Sequence, residues 1–439
     1  MGSMLITGAR VIDPASNYDG IADVAIDGDR VAAIGRELDR SAANLLIDAT
    51  DHILCPGLID PHVHFREPGH EDKETIATGS SAAVAGGFTT VCCMPNTSPA
   101  IDTPEMVRAV RDRARSSARC RVFPVAAATV GRHGERVTEV RLLAEAGAVG
   151  ISDDGDVVDS ASMMRTVLRA VADARLTFMQ HCQEPTLTRN AVMHAGETSA
   201  RLGLTGWPRV AEELIIERDI RLVRETGGAY HVQHMSSGGS VPLIRAAREA
   251  GLPVTAEASP HHLLLTDTAC ATYDTHAKMN PPLREQSDVD ALRDAIAEGV
   301  ITVLATDHAP HTPDEKALPF DQAPFGIIGL ETALAAYAEA LVDSGLLGWP
   351  ELIRLLTLEP ADLCRLGSGV RGRDGLGRLA VGAPADLTLI DPDQRWRVGE
   401  DDLAGKARNT PFLGREFRVR PVATVVGGLV AMNRLGAIR

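Results

Sequence analysis

Residues 56–69 read PGLIDPHVHFREPG, and residues 305–311 read ATDHAPH. In both segments an apolar run leads into histidine and aspartate. Alternate residues of a strand point to the same face, so His62 and His64 converge on one side of a predicted strand. Imidazole pairs of this kind suit zinc. The two segments therefore predict strands that end in metal-binding side chains.

Between residues 56 and 367, apolar runs alternate with helical runs rich in Ala, Leu, Arg and Glu. This alternation indicates βα units and a parallel sheet. The predicted strands are Leu58–His64, Thr89–Asn96, Arg121–Thr129, Val149–Gly155, Leu176–Cys182, Ala229–Met235, Leu252–His262 and Ile301–Pro310. Most of them begin about 25–50 residues apart, which is typical of a (β/α)8 barrel. The predicted fold class is therefore α/β, with a (β/α)8 TIM-type barrel.

The two ends of the chain have a different pattern. Alternating apolar residues, broken by Gly and Asp turns, indicate short strands in residues 4–55 and again in residues 368–439. We predict one small β domain built from both termini, with residues 4–55 as its N-terminal part and 368–439 as its C-terminal part. We predict that residues 56–367 form the barrel between them.

The composition excludes several classes of protein. Hydrophobic residues make up 44% and charged residues 23%, which is ordinary for a globular chain. A nucleic-acid-binding protein is expected to carry a basic stripe. The net charge of −15 therefore argues against a nucleic-acid partner. No apolar run is long enough for a membrane span, and no secretory signal is visible. Seven cysteines without metal-clip spacing predict reduced thiols and a cytoplasmic location.

Polar side chains collect where the predicted strands end, and a barrel carries its chemistry at that edge. The candidates are His62, His64, Asp153, Asp154, His181, His231, His234 and Asp307. Each one alone is explained by a turn, a helix cap or a buried histidine, but together they predict a metal site. The residues themselves leave two choices open, between Asp153 and Asp154 and between His231 and His234.

Four histidines and two aspartates exceed what one tetrahedral zinc uses. The surplus predicts two metal ions bridged by a carboxylate and a hydroxide, an arrangement that activates a nucleophile and polarises a carbonyl. Many enzymes of this architecture bridge their metals with a carboxylated lysine, but no lysine lies between residues 74 and 277. One of the two aspartates after the fourth strand is then the predicted bridge.

The motifs together resemble the class I bacterial dihydroorotases, which belong to the cyclic amidohydrolases. They are PGLIDPHVHFREPG (56–69), GGFTTVCCMPNTSP (86–99), ISDDG (151–155), MQHC (179–182), HVQHMSS (231–237), TAEASPHHLLLTD (255–267), KMNPPLR (278–284), ATDHAPH (305–311), DEKALPFDQAPFGIIGLET (314–332) and NTPF (409–412). The similarity runs from Met4 to Gly428, and HVHFREPG, DHAPH and APFGIIGLET distinguish it from hydantoinases and allantoinases.

The resemblance implies the reversible, zinc-dependent cyclisation of N-carbamoyl-L-aspartate to L-dihydroorotate plus water, the third step of de novo pyrimidine biosynthesis. The implied ligands are His62, His64 and Asp307 for one zinc, His181 and His234 for the second, and Asp154 with a hydroxide for the bridge. The hydroxide is the implied nucleophile. Asp307 is also the implied general acid/base, which carries the proton to and from the ring nitrogen.

The resemblance also implies a set of substrate contacts: His64, Arg66, Asn96, Asn280, His311, Phe325 and Gly326. Arg66 offers a planar fork of donors to a carboxylate, and its alternative is a surface ion pair with Glu67 or Asp72. The alternative for the two asparagines is turn chemistry. The loop 310–327, rich in proline and charge, is predicted to close over the substrate, with a static crossing loop as the alternative.

Two other hypotheses compete with a dihydroorotase. The first is another cyclic amidohydrolase, a hydantoinase or an allantoinase, against which the absent lysine and the Arg66 and Asn96 pair argue. The second is an inactive scaffold for aspartate transcarbamoylase, against which the complete ligand set argues. The predicted partners are the small-molecule substrate, a second copy of the chain and aspartate transcarbamoylase.

Overall fold

The computed structural model of the chain describes residues 3–41, 43–367 and 375–436. In these residues the strands are β1 (Ser3–Asp13), β2 (Tyr18–Asp27), β3 (Arg30–Gly35), β4 (Leu45–Asp48), β5 (Ile53–Pro56), β6 (Leu58–Val63), β7 (Phe88–Cys93), β8 (Arg121–Pro124), β9 (Thr177–Gln180), β10 (Met193–His194), β11 (Gly206–Trp207), β12 (Ala229–Val232), β13 (Val254–Ala258), β14 (Val303–Leu304), β15 (Leu387–Asp391), β16 (Trp396–Arg397), β17 (Glu416–Phe417), β18 (Arg420–Val426) and β19 (Leu429–Asn433).

The α-helices of the same residues are α1 (Ile76–Ala85), α2 (Pro104–Ser117), α3 (Val140–Ala146), α4 (Ala161–Ala174), α5 (Pro185–Thr188), α6 (Glu197–Leu202), α7 (Val210–Thr226), α8 (Val241–Glu249), α9 (Pro260–Leu264), α10 (Gln286–Ala297), α11 (Pro313–Lys316), α12 (Ala333–Tyr337), α13 (Trp349–Leu356) and α14 (Leu358–Leu363). Short 3₁₀ turns cover Val130–Arg132, Gly238–Ser240, Asp267–Cys270, Thr275–Ala277 and Glu400–Asp402, and Ala338–Val342 is a π-helical turn.

Strands from both ends of the chain share one sheet. Its order is β19-β18-β15-β5-β1-β2-β3, and β4 pairs with β1 beside this path. The apolar face of the sheet buries Val11, Ile26, Leu54 and Leu389, which pack in one cluster. The predicted boundary after residue 367 borders residues 368–374, which lie outside the described residues.

The remaining long strands are parallel. One sheet has the order β6-β7-β8, and another has the order β14-β13-β12-β9. Isolated parallel bridges join their edges: Ala126 pairs with Ile151, Ile151 with Phe178, and Val63 with His308. The carboxyl ends of these strands therefore meet on one side of the molecule, where the predicted site residues lie.

The fourth predicted strand, Val149–Gly155, is hydrogen-bonded to its neighbours from Val149 to Ser152: the amide of Val149 donates to the carbonyl of Pro124 (3.1 Å), and Ile151 bridges both neighbours. Local turns take over the backbone directly after it. The amide of Asp154 donates to Ser152 Oγ, and the amide of Asp156 donates to the carbonyl of Asp153. Serine and aspartate side chains compete with sheet ladders in this way. The extended segment is therefore shorter than its apolar run predicts.

The helices cover the parallel strands with one apolar face each. In α4, the Ser160 side chain caps the first turn by accepting a hydrogen bond from the amide of Met163. Val167, Leu168 and Val171 recur at helical spacing and are buried. This stripe faces the layer that contains α7 and β9. Propensity, cap and apolar pattern thus agree on the same element.

The interior of the parallel strands is apolar at one end and polar at the other. Ile59, Val125, Met179 and Val303 pack into one buried cluster with Leu363 of α14. This helix therefore packs against the apolar end.

In the described residues, no helix is long and apolar enough to cross a membrane. All seven cysteines are free and buried, as the sequence predicts.

Candidate metal centre and active site

His62 and His64 lie at the end of β6, and Asp307 follows β14. His64 Nε2 lies 3.0 Å from Asp307 Oδ1, and His62 Nε2 lies 3.4 Å from the same oxygen. One ligand atom from each of the three lies within 4.8 Å of the others, which is the spacing of a metal-ligand group. The strand ends thus bring together residues 243 positions apart.

A second group forms around Asp154. It contains His62 and His234, whose ligand atoms also lie within 4.8 Å of a carboxylate oxygen of Asp154. His181 joins it, since its Nδ1 lies 2.8 Å from His234 Nε2 and 3.6 Å from Asp154 Oδ1. Asp154 Oδ2 faces the other group, 3.4 Å from His64 Nε2. The two oxygens of Asp154 therefore face both groups, as a bridging ligand requires.

We call these six residues the metal cluster: His62, His64, Asp154, His181, His234 and Asp307. Within the described residues, His62 Nε2 and Asp154 Oδ1 are buried without a hydrogen-bond partner. Leaving buried polar atoms unpaired is costly unless an ion or water satisfies them. Imidazole and carboxylate donors suit zinc and related divalent ions. The residues present therefore fit a metal centre.

The electrostatics of the metal cluster favour cations. Burial opposes ionisation of Asp154, but the facing histidines, His62 above all, hold its pKa well below the ordinary value. Burial likewise opposes ionisation of Asp307, yet His62 and His64 lower its pKa to about 2. Both carboxylates are therefore charged at neutral pH.

The structure distinguishes the pairs that the residues alone left open. Asp153 points away from the cluster and accepts hydrogen bonds from the amides of Ala128 (2.8 Å) and Thr129 (3.1 Å). His231 also points away, with Nδ1 2.8 Å from Thr255 Oγ1. Asp154 and His234 are the members that face the cluster.

Glu257 on β13 is a functional residue that the sequence reasoning missed. Its Oε1 lies 2.6 Å from His62 Nδ1, and its Oε2 lies 2.9 Å from His231 Nε2. Burial opposes its ionisation, but the two histidines hold the pKa of Glu257 well below its ordinary value. A carboxylate on the second ring nitrogen directs the first one to a metal. An acidic residue inside the apolar strand TAEA was the signal.

Three residues of the site have positive φ, which side chains other than glycine rarely adopt. The φ angles are 33° at His234, 49° at Asp307 and 61° at Arg66. Strained backbone of this kind persists where the surrounding structure holds it, and it clusters at functional sites. The strained residues are therefore two members of the metal cluster and Arg66, which is predicted to bind the substrate carboxylate.

A cavity of about 300 Å³ opens beside the metal cluster. All seven predicted substrate contacts line it, namely His64, Arg66, Asn96, Asn280, His311, Phe325 and Gly326. Among the described residues, Arg66 forms the alternative ion pair with neither Glu67 nor Asp72, and Glu67 binds Arg113 (2.7 Å). Arg66 Nε donates to the carbonyl of Pro310 (3.2 Å), and burial lowers the pKa of Arg66 to about 10.

The two asparagines and Gly326 contribute in different ways. Asn96 Oδ1 lies 2.9 Å from His64 Nδ1 and so orients that ring. Asn280 Oδ1 is buried and has no partner in the described part of the chain. At Gly326 the φ is 149°, and an added Cβ would lie 2.6 Å from the carbonyl oxygen of Ala309. Only glycine fits at this position.

The predicted lid, residues 310–327, is tied down by two buried lysines. Lys278 Nζ donates to the carbonyls of Phe320 (2.5 Å) and Ala323 (2.6 Å). Lys316 Nζ donates to the carbonyls of Pro324 (3.0 Å) and Gly326 (3.1 Å). We call Arg66, His311, Phe325 and Gly326 the loop wall of the cavity. These four residues line the cavity beside the metal cluster.

The fold and the site together define an enzyme of the cyclic amidohydrolase class. The chain superimposes on L-hydantoinase (dihydropyrimidinase) from Arthrobacter aurescens with a TM-score of 0.88 at 24% identity, over 100% of this chain and 98% of that one. It superimposes on D-hydantoinase (dihydropyrimidinase) from a Thermus species with a TM-score of 0.81 at 26% identity, over 99% and 96%.

Sequence comparison narrows the class. Residues 51–240 match a family model described as dihydro-orotase-like. The chain is 44% identical over 431 residues to the dihydroorotase of Trichlorobacter lovleyi, covering 98% of this chain and 99% of the relative. It is 45% identical over 432 residues to the dihydroorotase of Pelobacter propionicus, covering 98% and 100%. The chain belongs to the dihydroorotase family.

Proposed function

We propose that this chain catalyses the reversible cyclisation of N-carbamoyl-L-aspartate to L-dihydroorotate plus water. The observation that carries the proposal is the pairing of a metal cluster with a loop wall that presents Arg66 to a carboxylate. Both substrates are anionic amides or ureas. Each therefore needs a residue that binds its carboxylate beside the reacting carbonyl. The resemblance to class I enzymes supports the same reaction.

The proposed metal ligands are those the sequence predicts. His62, His64 and Asp307 would hold one zinc, and His181 with His234 would hold a second. Asp154 would be shared between them, since its two carboxylate oxygens face the two groups. When bound, a zinc pair activates water for attack and polarises the amide carbonyl. Glu257 supports this set by accepting the Nδ1 proton of His62.

The proposed proton carrier is Asp307. In the hydrolytic direction water adds to the ring amide carbonyl and the ring C–N bond breaks. The leaving nitrogen keeps its hydrogen and takes up one more proton, while the new carboxyl group releases its proton to solvent. Asp307 takes a proton from the attacking water and donates it to the leaving nitrogen. It lies in the cavity lining beside His64, so it reaches both atoms from one position. Cyclisation runs the same transfers in reverse.

Substrate binding falls to the opposite side of the cavity. Arg66 and Asn96 offer donors to a substrate carboxylate, and burial strengthens such charge-assisted hydrogen bonds. Asn280 adds a buried amide, and His311 lies 3.5 Å from an Arg66 nitrogen. The loop 310–327 then excludes water from the reacting carbonyl.

The proposed architecture is a closed (β/α)8 barrel over residues 56–367 with a composite β domain from 4–55 and 368–439. The bridges of Ile151 and the Val63–His308 bridge support closure, because they join the two parallel sheets at both edges. The sheet β19-β18-β15-β5-β1-β2-β3 supports the composite domain. The cytoplasmic location, a dimer and an aspartate transcarbamoylase complex stay predictions.

The test is hydrolysis of L-dihydroorotate by the purified protein, with metal counted per chain in the same sample. We expect turnover with two zinc ions per chain. Hydantoin and allantoin serve as comparison substrates, because the structural relatives include hydantoinases. Turnover of hydantoin with none of dihydroorotate would contradict the proposal, and so would a metal-loaded protein that acts on neither.

A further inference from the structure

One side chain from the C-terminal segment reaches the loop wall from behind. Asn409 is 2% exposed and does not line the cavity. Its Nδ2 donates to the carbonyls of Ala309 (2.9 Å) and Gly326 (3.0 Å). Its Oδ1 accepts from the amide of His311 (3.0 Å). A single amide thus joins the two ends of the loop 310–327.

Only a primary amide satisfies all three groups. Asparagine has two donors and an acceptor, whereas aspartate at neutral pH only accepts. The contact it holds is tight, because a Cβ at Gly326 would lie 2.6 Å from Ala309 O and 2.7 Å from His311 Cδ2. Asn409 shares the carbonyl of Gly326 with Lys316 Nζ (3.1 Å), and it is the contact that ties this carbonyl to the amide of His311.

Asn409 is itself held without help from its side chain. Its carbonyl accepts from the amide of Ile328 (3.0 Å). Around it, Leu403 and Phe412 pack with Ile328 and Trp396 in a buried apolar cluster. The backbone around Asn409 therefore keeps its position when the side-chain amide is substituted. The substitution instead changes how the loop wall is held.

We propose that Asn409 is a positioning residue that sets substrate affinity by fixing His311 and Gly326 behind Arg66. This inference rests on the proposed function, because it concerns the carboxylate-bearing substrate of that reaction. Asn409 does not itself line the cavity, and it contacts the lining residues Ala309, His311 and Gly326 from behind. A substitution of Asn409 therefore affects the substrate only through the loop wall. In this respect Asn409 differs from the catalytic residues.

The experiment compares the wild type with Asn409→Ala, Asn409→Asp and the control Asn433→Ala. Asn433 is an exposed asparagine of β19 whose Nδ2 also donates to a backbone carbonyl, that of Gly436 (2.8 Å). We expect KM for dihydroorotate to rise about 10-fold in Asn409→Ala and about 100-fold in Asn409→Asp. The larger rise follows because a carboxylate faces two carbonyl oxygens.

The readouts separate positioning from general damage. We expect kcat to stay within about threefold of wild type and metal content to stay unchanged, since neither depends on the loop wall. An unchanged KM in the folded variants overturns the inference, and so does a loss of metal or of kcat without a rise in KM. If Asn409→Asp does not fold, Asn409→Ser is measured and read in the same way. An inactive wild type contradicts the proposed function instead.

Discussion

The metal cluster and the loop wall face each other across one cavity, but different forces hold them in place. Members of the metal cluster follow strand ends, and the sheet ladders fix their positions. All members of the loop wall except Arg66 sit on a long connection, which is held by side chains that bind its carbonyls, such as Lys316. Rigid elements place the reacting groups, whereas individually weak contacts place the substrate contacts.

This difference predicts which substitutions should have large effects on function and which should have small ones. A side chain on a strand end has no substitute, because the neighbouring strands cannot move to compensate. A loop held by several hydrogen bonds loses only a part of its order when one is removed, at about 1 kcal/mol each. We therefore expect changes in the metal cluster to abolish function and changes behind the loop wall to tune it.

The largest effect is expected from Asp154→Asn, measured beside Asp153→Asn. Asp154 faces all four histidines of the metal cluster, so removing its charge should cost both metal ions and all turnover. Asp153 accepts two backbone hydrogen bonds elsewhere, so its variant should keep its metal and lose about 1–3 kcal/mol of stability. Metal analysis and thermal unfolding measure the two outcomes. Equal metal loss in both variants would refute the assignment of the bridge.

The next effect is expected from Asp307→Asn. The amide oxygen still faces His64, but it cannot carry a proton. Loss of general acid/base catalysis lowers kcat about 10²- to 10⁴-fold, with metal content retained. Steady-state kinetics on metal-counted protein measures the change. Wild-type turnover by this variant would show that another group carries the proton.

A smaller effect on the same side is expected from Glu257→Gln. The amide replaces a carboxylate that accepts from His62 Nδ1, so the ring is less firmly oriented. Loss of such a support weakens metal binding about 10- to 100-fold. Titration with a chelator measures the affinity. Glu331→Gln is the matched control, because that buried carboxylate binds the amides of Ala404 and Gly405 and no histidine. Equal metal affinities in the two variants would contradict the role.

Most residues of the metal cluster could be predicted from the sequence. Few of the residues that support the cluster could be. His62 and His64 follow from the period of a strand, and Asp307 follows from its place after an apolar run. Glu257 could not be paired with His62 in advance, because they lie 195 residues apart and no periodicity links them. Asn409 in NTPF reads as a turn residue. Long-range side-chain contacts leave no local pattern.

The fold shows the same division. Apolar alternation located seven of the eight predicted parallel strands, because buried strands need apolar residues wherever they pair. The remaining one, the fourth along the chain, is predicted over Val149–Gly155 but is paired with its neighbours from Val149 to Ser152. There the turns of Ser152 and Asp153 compete with the ladder, and the sequence pattern does not show which interaction is stronger.

The smallest effect is expected behind the loop wall, from the pH dependence of Lys316. Burial, and then the charge of Lys278, lower the pKa of Lys316 from 10.5 to about 7 in the folded protein. Between these two values the unfolded chain binds more protons than the folded one, so stability rises with pH. The gain cannot exceed about 1.4 kcal/mol per pH unit, and it ends where the unfolded lysine also loses its proton.

Lys316→Met and Lys316→Arg test this pH dependence. Methionine carries no charge and arginine keeps its charge throughout, so neither variant should show the rise that wild type shows between pH 7 and pH 10. Urea unfolding at several pH values measures the difference. Parallel stability curves for wild type and both variants would mean that the lysine keeps its proton inside the loop. The loop wall would then be held by an ammonium ion over the whole range, and its contacts would be stronger than those of a neutral amine.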